Sequence, residues 1–353
     1  MTMPIPPGST IGILGGGQLG RMLSVAASQL GYKCHIYTPE ADSVAGEVSA
    51  RQTTAAWNDS AALAAFAAQC AVVTYEFENV PVGPLAALGD VPLHPPLRAL
   101  EVAQDRLSEK QFVTGLGGRA APFMAVDTAD DLAAALERIG TPGILKTRRE
   151  GYDGKGQHRI NYDHEAEGIP LGQPMIYEGL VRFTHEFSVI LCRSQDGEVR
   201  FWDSAENVHR HGVLDVSRVP GPAEIAPQVD GARTLAAQVA EALGYVGVAA
   251  FEFFATDAGP VFNEMAPRVH NSGHWTIEGA LTSQFENHIR AICGLPLGET
   301  RLAARGAVMH NLIGDAASDW SGLLGDPANH VHLYGKDECR PGRKMGHVTR
   351  LLL

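Results

Sequence analysis

Residues 251–264 read Phe251-Glu252-Phe253-Phe254-Ala255-Thr256-Asp257-Ala258-Gly259-Pro260-Val261-Phe262-Asn263-Glu264. Apolar and aromatic residues over 248–255, turn chemistry over 256–260 and a resumed extended run over 261–264 predict two strands joined by a tight turn. A hairpin centred on Ala258 sets Glu252 and Glu264 opposite each other on one face. Facing carboxylates repel and weaken a sheet unless a cation lies between them. Hard oxygen ligands on neighbouring strands suit Mg²⁺ carrying a polyphosphate. A solvated face with two chance acids is the plainer alternative, but Phe251, Phe253, Phe254 and Phe262 argue for a largely buried hairpin. Glu252 and Glu264 are therefore the candidate metal ligands. The next stretch, Arg268-Val269-His270-Asn271-Ser272-Gly273-His274, is too polar for a core and rich in donors. It reads as a site for a small anion beside the metal.

The 353 residues suffice for two or three domains with a substantial core. Hydrophobic residues make up 45% and charged ones 19%, which excludes a disordered chain. A net charge of −12 argues against a nucleic-acid partner, because no excess of Lys and Arg is available to displace counterions. The five cysteines are widely spaced without a C-x-x-C pair, as expected for reduced thiols in a cytoplasm. No signal peptide and no membrane-spanning run are read, so a soluble cytoplasmic protein without a membrane partner is expected.

Near the start, the apolar strand at residues 10–14 runs into Gly15-Gly16-Gly17-Gln18-Leu19-Gly20, followed by helical spacing from Arg21 and a second strand at 34–37. Gly15-x-Gly17-x-x-Gly20 fits the dinucleotide fingerprint, with Glu40 about twenty residues on, near where a ribose-binding acid falls. A nicotinamide oxidoreductase is therefore one reading, although any phosphate-bearing ligand can use glycines at a helix N-terminus. An Ala-rich helix over 59–69 and a strand over 71–75 lead to Tyr75-Glu76-Phe77-Glu78-Asn79-Val80-Pro81. Acids at the carboxyl end of a parallel strand lie where open α/β sheets bind ligands, so Glu76 is a candidate contact. The Pro-rich run at 91–96 marks the end of a first domain near residue 95.

Farther on, a helix over 103–116 carries Asp105, Arg106 and Lys110. A strand over 143–147 delivers Lys146 into Arg148-Arg149-Glu150-Gly151-Tyr152-Asp153-Gly154-Lys155-Gly156-Gln157. A strand lysine before a glycine-rich basic loop can grip triphosphate, the lysine by charge and the loop by backbone N–H groups. The P-loop spacing is absent. Strands at 175–177 and 187–192 flank Glu178 and Glu186 in an antiparallel sheet. Helices are expected over 232–243 and 277–293, and a strand over 307–312. Lys336, Arg343 and Lys344 gather around a Pro-Gly turn, and in so acidic a chain they read as a phosphate site rather than a solvated face.

In this order, the Gly-rich loop, lysine strand, basic lid, paired-Glu hairpin and Arg-x-His-Asn resemble the ATP-grasp superfamily. Within it the chain resembles the 5-(carboxyamino)imidazole ribonucleotide synthase family of purine biosynthesis. The pieces that carry the likeness run from Ile13 through Met22, from Tyr75 to Asn79, from Gly151 to Gly156, from Asn263 to His274 and from Arg340 to Lys344. The resemblance implies an α/β and α+β architecture of three domains. These are an N-terminal Rossmann-like unit over 1–95, an ATP-grasp domain of two subdomains over 96–300 and a small β-rich domain over 301–353. It implies that Arg106, Lys146 and the Gly151, Tyr152, Asp153, Gly154, Lys155, Gly156, Gln157 loop contact ATP. Glu178, Gly179, Leu180 and Val181 would lie by the adenine, Glu186 by the ribose hydroxyls, and His209 and Asn263 would complete the pocket. Aminoimidazole ribonucleotide would lie against Gln18, Leu19, Glu76, Tyr152 and Asp153, with its phosphate on Lys336, Arg343 and Lys344.

The resemblance further implies ATP- and bicarbonate-dependent carboxylation of the ribonucleotide's exocyclic amine through carboxyphosphate, with one or two Mg²⁺ ions, in a homodimer. Arg268 would hold bicarbonate with His270 and Asn271, and Asp153 would position the amine. Two departures stand out: Glu150 replaces a glycine common in the lid, and Val269 a proline common after the arginine. Another ATP-grasp carboxylase or amine ligase, and a non-catalytic nucleotide-binding module, are the remaining alternatives. The first leaves 75–79 and 340–344 unexplained, and the second has no use for Arg268, His270 and Asn271 beside a metal.

Overall fold

The computed structural model describes residues 3–151 and 156–353, so Tyr152, Asp153, Gly154 and Lys155 lie outside the described residues. Strands β1 (Thr10–Leu14), β2 (Lys33–Thr38), β3 (Arg51–Thr54) and β4 (Val72–Tyr75) form a parallel sheet in the order β3-β2-β1-β4. Ile11, Ile13, Leu14, Ile36, Val72 and Val73 are fully buried, as a parallel sheet covered on both faces requires. The helix Gln18–Gln29 starts at the carboxyl end of β1, which brings the glycine loop beside the end of β4.

A second sheet comprises β5 (Phe123–Val126), β6 (Gly143–Thr147), β7 (Gln157–Ile160) and β8 (Met175–Gly179), ordered β5-β8-β6-β7. The helix Ala129–Ile139 covers it with Leu132 and Ala135, and a Thr128–Asp131 capping box starts that helix. The largest sheet holds β9 (His185–Arg193), β10 (Val199–Phe201), β11 (Ala205–Arg210), β12 (Val213–Val219), β13 (Gly247–Thr256), β14 (Gly259–Ala266), β15 (Gly306–Ile313), β16 (His330–Leu333) and β17 (Lys344–Leu352). Its path is β14-β13-β9-β11-β12-β15-β17-β16, with β10 beside β9. Pairing of β12 with β15, from Val216↔His310 to Val219↔Ala307, makes the C-terminal strands a continuation of the sheet that holds β13 and β14. Among the described residues no helix is long and apolar enough to cross a membrane.

The hairpin β13–β14 reaches the expected register by an unexpected route. Its turn closes at Thr256↔Gly259, and a bulge between Glu252 and Phe253 then shifts the pairing by one residue. The bulge restores Glu252↔Glu264 as direct partners. Phe251, Phe253 and Phe262 are each 1% exposed, so the hairpin is buried as its aromatic residues require. Two expected helices differ. The one expected over 103–116 starts only at Arg106, because the Asp105 carboxylate accepts from Leu107 N and Ser108 N and so caps Arg106–Gly115, and a separate, unexpected helix Leu97–Ala103 precedes it. The other divides into Thr276–Gly279 and Gln284–Ile292, with Ser283 capping the latter and Ala280 bridged to Leu302. The helix expected from residue 232 begins at Ala226, with Pro227 in its first turn.

Candidate active site

The cross-strand pair Glu252 and Glu264 lines a cleft of ≈ 950 Å³ between the two antiparallel sheets. Burial and the facing Glu264 charge raise the pKa of Glu252. Burial pushes Glu264 the same way, but the Arg106 guanidinium overrides it and holds Glu264 below the usual carboxylate range. The pair therefore carries its proton on Glu252. Arg106 NH1 lies 3.0 Å from Glu264 Oε2, and its NH2 donates to Gly151 O at 2.8 Å, tying the hairpin to the foot of the glycine-rich loop. Two carboxylates with little else dedicated to a metal fit Mg²⁺, which takes its remaining ligands from phosphate and water.

Lys146 lies on β6 and enters the same cleft. Its Nζ is 3.0 Å from Glu178 Oε2, and the Lys110 ammonium is 3.3 Å from the same oxygen. Burial lowers the pKa of Lys146, with Glu178 opposing that effect. The Glu178 carboxylate is thus directed at two lysines, and residues 178–181 are not among those that line the cleft. In that stretch Gly179 N donates to Pro122 O and Leu180 N to Pro142 O. Gln157, Glu186, His209 and Asn263 line the cleft too, with His209 Nδ1 2.6 Å from Glu186 Oε2. Burial works against a charged His209, yet the Glu186 hydrogen bond and the Glu252 charge raise its pKa. Glu150, the departure from the usual lid glycine, takes φ 61°, the left-handed backbone that a glycine adopts without strain.

Arg268, His270 and Lys344 line a second, adjoining cleft with Glu78, Gln104 and Arg148, and Arg106, Glu264, His270 and Lys344 belong to both. Arg268 NH2 is 2.6 Å from Glu78 Oε2, and its NH1 donates to Val269 O at 3.0 Å. His270 Nε2 is 3.7 Å from Glu252 Oε1, which joins the anion stretch to the metal pair. Burial and the neighbouring Arg268 and Lys344 charges keep the His270 imidazole neutral, with its pKa well below the usual value.

The glycine loop is occupied from within the protein. Glu76 is buried, and its two oxygens accept from Gly17 N at 2.8 Å and Gly20 N at 3.3 Å. Gly15 has φ 115°, and a Cβ there would lie 2.6 Å from Glu76 Oε1. A dinucleotide's pyrophosphate would need the place this carboxylate fills, so the oxidoreductase reading fails here. Gln18 and Leu19 begin the helix above it. Of the C-terminal cations, Lys336 donates to Lys344 O at 2.8 Å while Arg343 NH1 is turned onto Glu338 O at 2.9 Å. Burial, with Arg343 alongside, brings Lys336 down to about 8.

Glu109 is a site residue that the sequence reading does not single out, and Lys110 is named there only as a cation on its helix, without a role in the site. Lys110 Nζ donates to Asn263 O at 3.0 Å, and Glu109 Oε1 accepts from Met265 N at 2.7 Å, so both brace β14 from the helix Arg106–Gly115. Their helical spacing places both on the buried face, but no local pattern connects them to a hairpin far along the chain.

Three family models match: the ribonucleotide synthetase preATP-grasp domain over residues 8–104, the ATP-grasp domain over 111–285 and the phosphoribosylaminoimidazole carboxylase C-terminal domain over 307–352. The chain is 49% identical to the N5-carboxyaminoimidazole ribonucleotide synthase of Brucella melitensis, over 98% of this chain and 97% of that protein. The crystal structure of the N5-carboxyaminoimidazole ribonucleotide synthetase from Thermus thermophilus superposes with a TM-score of 0.90 at 47% identity, covering 97% and 93% of the two chains. That of the Aspergillus clavatus enzyme in complex with ADP and 5-aminoimidazole ribonucleotide gives 0.90 at 30% identity, covering 98% and 94%. The paired-Glu hairpin, its lysines and the C-terminal extension of its sheet thus belong to an ATP-dependent ligase of the N5-carboxyaminoimidazole ribonucleotide synthase family.

Proposed function

We propose that this chain carboxylates the exocyclic amine of 5-aminoimidazole ribonucleotide with bicarbonate and ATP, and that the two adjoining clefts divide the work. The observation that carries the reading is the Glu252–Glu264 pair, which shares Arg106, His270 and Lys344 with the neighbouring anion cleft. ATP lies in the first cleft, its base by residues 178–181, its ribose on Glu186 and His209, and its phosphates toward Lys146, Arg106 and the 151–157 loop. Glu252 and Glu264 hold Mg²⁺, which supplies charge neutralisation at the β- and γ-phosphates. Arg268 and the His270 Nε2–H hold bicarbonate for in-line attack on the γ-phosphoryl group, giving carboxyphosphate. Lys344 stands between the clefts, where it meets the transferring charge.

The ribonucleotide enters the second cleft at Glu78, Asn79 and Lys344 and reaches beyond it to Gln18, Leu19 and Glu76, with its phosphate on Lys336, Arg343 and Lys344. Asp153, outside the described residues, positions the amine and accepts its proton. Exclusion of water from the site protects carboxyphosphate from hydrolysis. The units 1–95, 96–300 and 301–353 supply the ribonucleotide, ATP and phosphate contacts respectively. The enzyme works in the cytoplasm as a homodimer, with no nucleic-acid or membrane partner. Phosphate release from ATP tests this reading. It should require both bicarbonate and the ribonucleotide for full rate, and release that ignores the ribonucleotide would overturn it.

A further inference from the structure

Thr74 and His288 form a fully buried polar pair where the parallel sheet meets the largest one. One apolar cluster spans that junction, with Ile13 and Val72 from the first sheet, Ile289 from the helix Gln284–Ile292, and Val248 and Ala250 from β13. β14 ends at Ala266, opposite Ala250, so it offers no partner to the main chain of Val248. Side chains take its place: the Tyr245 hydroxyl donates to Val248 O at 2.7 Å, and Val248 N–H donates to His288 Nδ1 at 3.1 Å. A main-chain N–H can only donate, so His288 Nδ1 carries no proton. Burial brings this imidazole down to about 3 and so keeps it neutral. Its single proton is therefore on Nε2, from which it donates to Thr74 Oγ1 at 2.8 Å. The approach is close: Gly247 has φ 118°, and a Cβ there would lie 3.0 Å from His288 Nδ1.

We propose that His288 is a positioning residue: its Nε2–H fixes the ribonucleotide end of β4 against β13, and so sets the distance between the amine and the carboxyl carbon it attacks. The inference rests on the carboxylation reading given above. Covering an open strand edge needs Nδ1 alone, whereas the second bond reaches into a different sheet. Thr74 stands two residues before Glu76, whose carboxylate accepts from Gly17 N and Gly20 N below Gln18 and Leu19. Val248 stands four residues before Glu252, about 13 Å along the strand. One rigid ring thus ties the strand that supports the ribonucleotide to the strand that supports the metal and ATP. In the transfer step the amine nitrogen bonds to carbon as the C–O bond to phosphate breaks, and a misplacement of about 1 Å there costs on the order of 100-fold. Neither strand needs the bond to hold its own ligand, so its loss falls on the transfer between them.

Thr74→Val keeps the shape of the side chain and leaves the His288 Nε2–H without its acceptor. It should lower the product formed per phosphate released about 3- to 10-fold, with KM for ATP within about twofold. Thr74→Ser keeps the hydroxyl and should hold that ratio within about twofold of the parent. In His288→Asn the amide oxygen can still accept from Val248 N, but the side chain stops short of Thr74, so the ratio should fall as in Thr74→Val. An unchanged ratio in Thr74→Val, whatever its Tm, overturns the proposal. So does a fall of product and phosphate in step, or a loss in Thr74→Ser equal to that in Thr74→Val, because each marks a pair that only holds the fold together. If the unmodified protein releases phosphate and forms no carboxylated ribonucleotide, the carboxylation reading fails; if it forms product and Thr74→Val keeps the ratio, the positioning role fails alone. Imidazole ¹⁵N shifts of the unmodified protein test the assignment without any variant, with the proton expected on Nε2 of His288. A proton on Nδ1 overturns it.

Discussion

Glu178→Gln keeps the shape of a buried side chain and removes the one negative charge between two lysines. The lysine side chains are 2% and 10% exposed, at 3.3 and 3.0 Å from the carboxylate oxygen, so water cannot replace the lost partner. Removing one member of such a buried pair costs about 3–5 kcal/mol, because the remaining charge is left uncompensated. Part of that cost is avoided if Lys146 gives up its proton, for burial already lowers its pKa and Glu178 is the main group opposing that. The variant then presents a neutral amine to ATP. Because a lysine is neutral above its pKa, KM for ATP should rise as pH rises through the newly lowered value, and should recover toward lower pH. Urea unfolding gives the stability change, and KM for ATP across a pH series gives the titration. A variant within about 0.5 kcal/mol of its parent, with an unmoved pH profile for ATP, would refute the reasoning.

Other consequences follow from the same electrostatics. Glu252 holds the proton of its pair, so Mg²⁺ binding must release it; affinity should tighten as pH rises, with a binding heat that changes with the buffer's ionisation enthalpy, and a pH-independent affinity would count against the ligand pair. Lys336 titrates at about 8, so KM for the ribonucleotide should climb above that pH as its charge is lost, and Lys336→Met should raise KM at neutral pH and abolish the climb. Asp153→Ala should leave ATP affinity within about threefold and uncouple phosphate release from product, whereas a parallel fall in both would show that Asp153 only orders the loop.

Much of this site is legible in the sequence because its residues come from short stretches with strong local chemistry. The alternation and aromatic content of β13 and β14 set Glu252 against Glu264, although the tight turn and the bulge that produce the register both arise from the packed sheet. Asp105 shows a general limit: helical spacing extends through it, and only its side-chain capping bonds reveal that the helix begins after it. Glu76 was legible as a ligand-end acid, but not as the internal occupant of the glycine loop, since the two lie in separate stretches of chain and meet only through β1–β4 pairing. The Glu178 contact with Lys110 and Lys146 is likewise long-range. β11 and β12 escape detection because Glu206, Asn207, His209 and Arg210 on one, and Asp215, Ser217 and Arg218 on the other, break the apolar alternation. The buried amide pair Asn271–Asn311 is the hardest to foresee, since its direction depends on one main-chain carbonyl, Leu214 O.

The central claim is that bicarbonate, held by Arg268 and His270, attacks the γ-phosphoryl group of ATP. Bicarbonate labelled with ¹⁸O, in unlabelled water and at times short relative to its exchange, tests it most directly. The account predicts phosphate carrying one ¹⁸O atom per turnover, because the oxygen that attacks phosphorus remains on it when carbon is transferred to the amine. Phosphate free of label, with product still formed, would mean that the attacking oxygen came from elsewhere, and would contradict the account.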